Sequence, residues 1–137
     1  MYVEKVGQGS VHYLSAEASS IAQARRLAGE VAAPFLEPNQ FHAFELVISE
    51  LVTNAVRHGA SPDDEIKLAV TPKDGYVCVQ VTDPGPGLVP KPGALGPDED
   101  AGGFGLYIVE QLTRRWGVTR EDDKTRVWFE LDFAATA

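Results

Sequence analysis

Of the chain's 13 glycines and 9 prolines, 12 fall between Pro84 and Gly105, within 22 consecutive residues. No other stretch gathers them. Proline removes a backbone donor and glycine costs backbone entropy, so neither supports the interior of a helix or strand. The segment is therefore a long connection. Connections of this length are either disordered or shaped around something. On either side of it the chain is regularly patterned. At 137 residues a single domain over 1–137 is expected, because a chain of this size buries about two-thirds of its unfolded surface.

The patterned regions read as a small set of elements. Ser10 to Leu14 alternates as a short strand. A helix follows from about Ser19, with Ile21, Ala24, Ala28 and Val31 as its apolar stripe and Pro34 as its stop. A stronger helix is expected from Gln40 to His58, where Phe41, Phe44, Ile48, Leu51, Val52 and Ala55 share one face and Gly59 ends it. Ile66, Leu68 and Val70, then Val77, Val79 and Val81, alternate as two strands around a turn at Pro72-Lys73-Asp74-Gly75. Beyond the Gly/Pro segment the spacing of Leu106, Val109, Leu112 and Trp116 predicts a helix over 104–116. Val118–Arg120 and Arg126–Phe133 read as a last hairpin. This order of elements predicts an α+β fold, an α/β sandwich with a mostly antiparallel, mixed sheet covered on one face by about three helices.

Charge and cysteine content narrow the function. The chain carries 20 acids against 12 bases, a net charge of −8. That disfavours nucleic acid and anionic membrane as partners of the surface as a whole. A single cysteine, Cys78, excludes an internal disulfide and a multi-cysteine metal site. No stretch approaches the about 20 apolar residues of a membrane span, and the N-terminus lacks a signal-peptide core, so a cytoplasmic protein is expected.

Three groups of residues have chemical potential. On the second helix Glu50 and Asn54 lie roughly 40° apart, flanked by Arg57 and His58 and turned from the centre of the apolar face. A carboxylate and a carboxamide so placed either form a solvated face or hold a hydrated divalent cation, with the glutamate free to orient a water or take a proton. Asp83 continues the inward phase of Val77, Val79 and Val81 at the strand's end. It either caps the turn Pro84-Gly85-Pro86-Gly87 or meets a ligand donor over bare glycine backbone. Gly102-Gly103-Phe104-Gly105-Leu106 directly precedes a helix. It is either a flexible lead-in or a set of backbone N–H groups that binds an anion.

Taken in order, Glu50-Leu-Val-Thr-Asn54-Ala, Asp83-Pro-Gly85-Pro-Gly87 and Gly102-Gly103-Phe104-Gly105-Leu106 resemble the N, G1 and G2 boxes of the GHKL ATPase superfamily, whose members share the Bergerat fold. The resemblance spans nearly the whole chain. The run from Ile48 to Gly59 is most similar to stand-alone anti-sigma-factor serine/threonine kinases. It implies ATP and Mg²⁺ as cofactors, with Asn54 as the metal ligand and Glu50 as the catalytic base. It further implies Asp83 on the adenine amine, Gly85 and Gly87 as the adenine wall, and Gly102, Gly103, Phe104, Gly105 and Leu106 at the phosphates. An ATP lid would span about Leu88 to Ala101. Arg57 and His58 would reach phosphate or lid. Thr125 is the nearest match to a nucleotide-touching threonine on the late strands, although Lys124 precedes it where a glycine is usual. The implied partners are a sigma factor and an anti-anti-sigma protein, with a homodimer left open. The alternative is a nucleotide-binding module that sequesters a partner without phosphoryl transfer. A histidine kinase's phospho-accepting helical hairpin is not expected, since His12 falls in a strand and His42 and His58 sit at the ends of one helix.

Overall fold

The computed structural model describes residues 2–6, 9–59, 61, 63–84 and 109–133. Six strands form one sheet: β1 (Tyr2–Val6), β2 (Gly9–Ser15), β3 (Glu65–Pro72), β4 (Tyr76–Asp83), β5 (Arg115–Glu121) and β6 (Lys124–Asp132), in the order β1-β2-β3-β4-β6-β5. Helices α1 (Ser19–Ala32) and α2 (Pro38–Asn54) separate β2 from β3. A further helical turn at 109–112 leads towards β5.

The core lies between the sheet and the helices. The alternation read from sequence is borne out in β3 and β4, where Ile66, Leu68, Val70, Val77, Val79 and Val81 are all buried. They meet Phe44, Val47, Ile48, Leu51 and Val52 of α2 and Ala24, Leu27 and Ala28 of α1. Each large side chain so buried contributes about 1.5–3 kcal/mol. Phe44 packs edge-on to Phe129 of β6, with ring centroids 6.0 Å apart. The small residues of α1 let it lie close to α2.

Four expectations are corrected. First, the sheet is not mixed: every hydrogen-bonded pair among the described strands is antiparallel. With both helices placed between them, β3 still pairs antiparallel with β2. β4 and β5 do run the same way, but β6 is inserted between them and pairs antiparallel with both. Second, the sheet begins one strand earlier, since Tyr2–Val6 pairs with β2 at the sheet edge. Third, Trp116 does not belong to a helix. It sits in β5 opposite Phe129, and the i, i+4 spacing from Leu112 reflects a common core rather than a common helix. Residues 104–108 of that expected helix lie outside the described residues. Fourth, α2 begins at Pro38 and ends as an α-helix at Asn54; Ala55–Gly59 is a π-helical turn.

The ends of α2 have identifiable causes. Pro38 at the first helical position has no N–H to satisfy and a suitable φ. The Glu37 backbone N–H donates to Gln40 Oε1 at 3.3 Å, and Gln40 Nε2 donates to the Asp132 carbonyl at 2.9 Å, tying the helix start to β6. At the other end the helix widens immediately after Asn54. The β3–β4 turn is the expected one, with Gly75 at φ 90°, a conformation that glycine adopts without strain.

Candidate functional site

The elements converge on the end of the sheet where β4 finishes and β6 begins, beside the end of α2. Asp83 is the last residue of β4 and faces inward, 4% exposed. Thr125 of β6 stands directly opposite it and is 1% exposed. Asn54 closes α2 and is 9% exposed. Together with Leu51, Ala55, Val81 and Val127 these three polar residues line one cavity of about 10 Å³, room for about one water.

This placement corrects one reading of the helix. Asn54 is not on the solvated face; its side chain belongs to the buried floor shared with Asp83 and Thr125. Glu50, one turn earlier, is half-buried. Burial pushes its carboxyl above the ordinary range, and the Arg57 charge opposes that rise. Raised basicity is what a carboxylate needs to accept a proton. Arg57 itself is exposed, within the π-helical turn. Turns of this type recur at functional sites, and here the wider winding shifts Arg57 out of the phase a regular helix would give it.

One residue at the site had escaped the sequence. Arg120 of β5 lies opposite Thr125, and its Nη1 donates to Thr125 Oγ1 at 2.6 Å. Asp83, Thr125 and Arg120 thus form a row across β4, β6 and β5. Only the strand register reveals it, and the register depends on a turn whose position is not evident from composition. Asp83 also borders an open cleft of about 700 Å³ with Tyr13, Asp63, Asp64, Glu65, Lys67, Thr82, Pro84 and Lys124. Four carboxylates on its wall, against two lysines, make it a poor match for a polyanion.

The remaining expected site residues lie outside the described residues: Gly85, Gly87, the lid, Gly102, Gly103, Phe104, Gly105 and Leu106, and the side chain of His58. Among the described residues no three His, Cys, Asp or Glu side chains gather as a metal cage. A divalent ion held through Asn54 would need oxygens from its ligand, as Mg²⁺ usually takes few protein ligands. Cys78 faces the outer side of the sheet, and burial and Glu130 push its thiol up, away from reactivity. No described helix is long and apolar enough to cross a membrane.

The fold and this geometry define a class. The model of the histidine kinase-like ATPase domain matches residues 14–131, so the chain belongs to that family. An uncharacterized protein of Streptomyces coelicolor is 33% identical over 82 residues, 58% of this chain and 76% of that protein. Among solved structures, the RsbU and RsbW domains of a Mycobacterium tuberculosis protein, Rv1364c, match with a TM-score of 0.68 at 21% identity, covering 93% of this chain. This chain spans about a third of that one (33%). A blue-light activated histidine kinase of Erythrobacter litoralis matches with a TM-score of 0.57 at 24% identity, over 72% of this chain and 32% of that one. At these identities the structural likenesses establish the shared α+β fold.

Proposed function

We propose that this chain binds Mg-ATP and is a serine/threonine protein kinase that acts as an anti-sigma factor, binding a sigma factor and phosphorylating an anti-anti-sigma protein. The observation that carries the proposal is the convergence of Asn54, Asp83 and Thr125, from three separate elements, on one small polar floor, with Glu50 one helical turn before Asn54. Membership of an ATPase-domain family and the likeness to a structure containing an RsbW domain support it.

The residues fit such a ligand. The cavity is too small to enclose a base, so it forms the floor against which a base edge rests. Asp83 accepts a hydrogen bond from an exocyclic amine, and its inward position at the strand end lets it do so out of bulk water. Asn54 offers a neutral oxygen to the cation that accompanies the phosphates. Mg-ATP supplies the transferable phosphoryl group and the charge neutralisation it needs. Glu50 takes the proton of the attacking serine hydroxyl, and its raised basicity suits that task.

Incubating the chain with γ-labelled ATP and the proteins it retains from its native extract tests the transfer step. The expected result is label on a retained protein's serine or threonine, lost with Glu50→Ala. Tight nucleotide binding with no label on any retained protein would instead establish a sequestering module, and the kinase claim would fall.

A further inference from the structure

Among the described residues two large apolar side chains are exposed, Phe35 and Leu46. Phe35 has a partner, since its ring stacks on Phe133 with centroids 5.1 Å apart. Leu46 is 43% exposed and belongs neither to the core nor to the apolar side chains packed against it. A single exposed leucine is ordinary on a protein surface. Its place on α2 is what matters. Leu46, Glu50 and Asn54 follow one another at intervals of four residues. Each interval advances about 6 Å along the helix axis and turns about 40° around it. Exposure falls along that ridge, from open Leu46 through half-buried Glu50 to Asn54 at 9%. The ridge therefore winds from solvent into the polar floor.

From this geometry we infer that Leu46 is the anchor on which the acceptor protein docks, packing against an apolar side chain close to the serine that receives the phosphoryl group. The inference rests on the kinase reading above. In that reading the nucleotide reaches Glu50 from the Asn54 side. Phosphoryl transfer sets the attacking and leaving oxygens roughly in line, and the base must lie within hydrogen-bond reach of the attacking hydroxyl. The acceptor serine accordingly arrives from the opposite side of Glu50, which is the side of Leu46. An extended segment repeats its side-chain direction every two residues, about 6.6 Å, close to the step from Glu50 to Leu46. A serine held at Glu50 thus places the side chain two residues away over Leu46. Ala43, seven residues before Glu50, shares its side of α2. There the helix borders a groove of about 340 Å³, with Asn39, Gln40 and Ala43 on one wall and Gln111, Leu112 and Thr113 on the other. The groove receives the continuation of the same segment.

The experiment takes as acceptor the retained protein that is labelled in the transfer assay above. It measures KM and kcat for that protein together with the Mg-ATP dissociation constant. Leu46→Ala is expected to raise the acceptor KM about tenfold, the scale of one leucine side chain left unburied, and Leu46→Glu to raise it further. Leu46→Met keeps an apolar side chain and is expected to retain the wild-type KM. Ala43→Glu, at the groove, is expected to raise the same KM. In all four variants kcat and Mg-ATP affinity are expected to match the wild type, the mark of an interaction made equally in ground and transition states. An unchanged acceptor KM in folded Leu46→Glu would overturn the inference, as would an equal loss of Mg-ATP affinity. Sedimentation showing wild-type self-association that Leu46→Glu abolishes, with KM unchanged, would assign Leu46 to a second copy of the chain instead. If the wild type binds Mg-ATP and no retained protein takes the label, the kinase reading falls and the inference with it. A thermal melt of each variant identifies any that is misfolded.

Discussion

Glu50 and Asn54 stand one helical turn apart in contrasting surroundings: Glu50 is half-buried beside the exposed Arg57, and Asn54 is turned into the sheet. Their division of labour follows from that difference. Glu50→Ala is expected to keep nucleotide affinity and lower phosphoryl transfer by about 10²–10⁴-fold, the usual worth of a general base; comparing calorimetric binding with single-turnover transfer checks it. Arg57 holds the Glu50 carboxyl below where burial alone would put it. Arg57→Ala is therefore expected to move the acid limb of the pH–rate profile to higher pH, because the base is then protonated over a wider range. His12 gives a stability prediction of its own. It is 3% exposed, its Nε2 lies 2.6 Å from Ser10 Oγ, and its Nδ1 has no hydrogen-bond partner among the described residues. Burial lowers its pKa below 6.5, with Glu30 opposing. The unfolded chain thus binds the proton more readily, and stability present above about pH 6.5 is lost as the pH falls below it. The melting temperature is expected to drop between pH 7.5 and 5.5, and less so in His12→Phe. At this scale the sequence revealed Asp83's inward phase, because alternation fixes it. It hid Arg120, because cross-strand neighbours are set by register.

Among the elements, α2 was legible for most of its length because its apolar positions recur at helical spacing from Phe41 to Ala55. Its last turn was not. The π-helical winding of Ala55–Gly59 leaves the apolar pattern unchanged, and only the backbone distinguishes it. The β5–β6 hairpin was read too short at its start, since Arg115 and Trp116 fit both a helix end and a strand. Its turn is made by Asp122 and Asp123 at φ 53° and 62°. Two-residue hairpin turns with both residues at positive φ strongly favour glycine at the second position. Asp123→Gly is expected to stabilise the chain by roughly 0.5–1 kcal/mol, since a left-handed side chain is strained by about 1–2 kcal/mol and glycine returns part of that as entropy; chemical denaturation checks it. The opposite sign applies in the core. Phe44, fully buried and edge-on to Phe129, is expected to cost about 3–5 kcal/mol when replaced by alanine, read as a lower denaturation midpoint.

On the scale of the whole molecule, the α+β class was legible because two helices between alternating strands leave few ways to cover one sheet. The sheet's first strand was not, since Tyr2–Val6 is a short edge segment with two charges in five residues. Nor was the purely antiparallel pairing, which depends on β6 inserting between β4 and β5. The net charge of −8 is compatible with an anionic ligand when a cation and main-chain donors hold the phosphates. A ligand that binds only the folded chain raises its stability by about 2.7 kcal/mol at one hundred times its dissociation constant. Millimolar Mg-ATP is accordingly expected to raise the melting temperature of the wild-type chain, and to do so less in Asp83→Asn. The most direct test of the account is a calorimetric titration of Mg-ATP into the wild-type chain and Asp83→Asn. The expected result is saturable one-site binding by the wild type and at least tenfold weaker binding by the variant. Equal affinity in both, or no binding by the folded wild type at millimolar nucleotide, would contradict it.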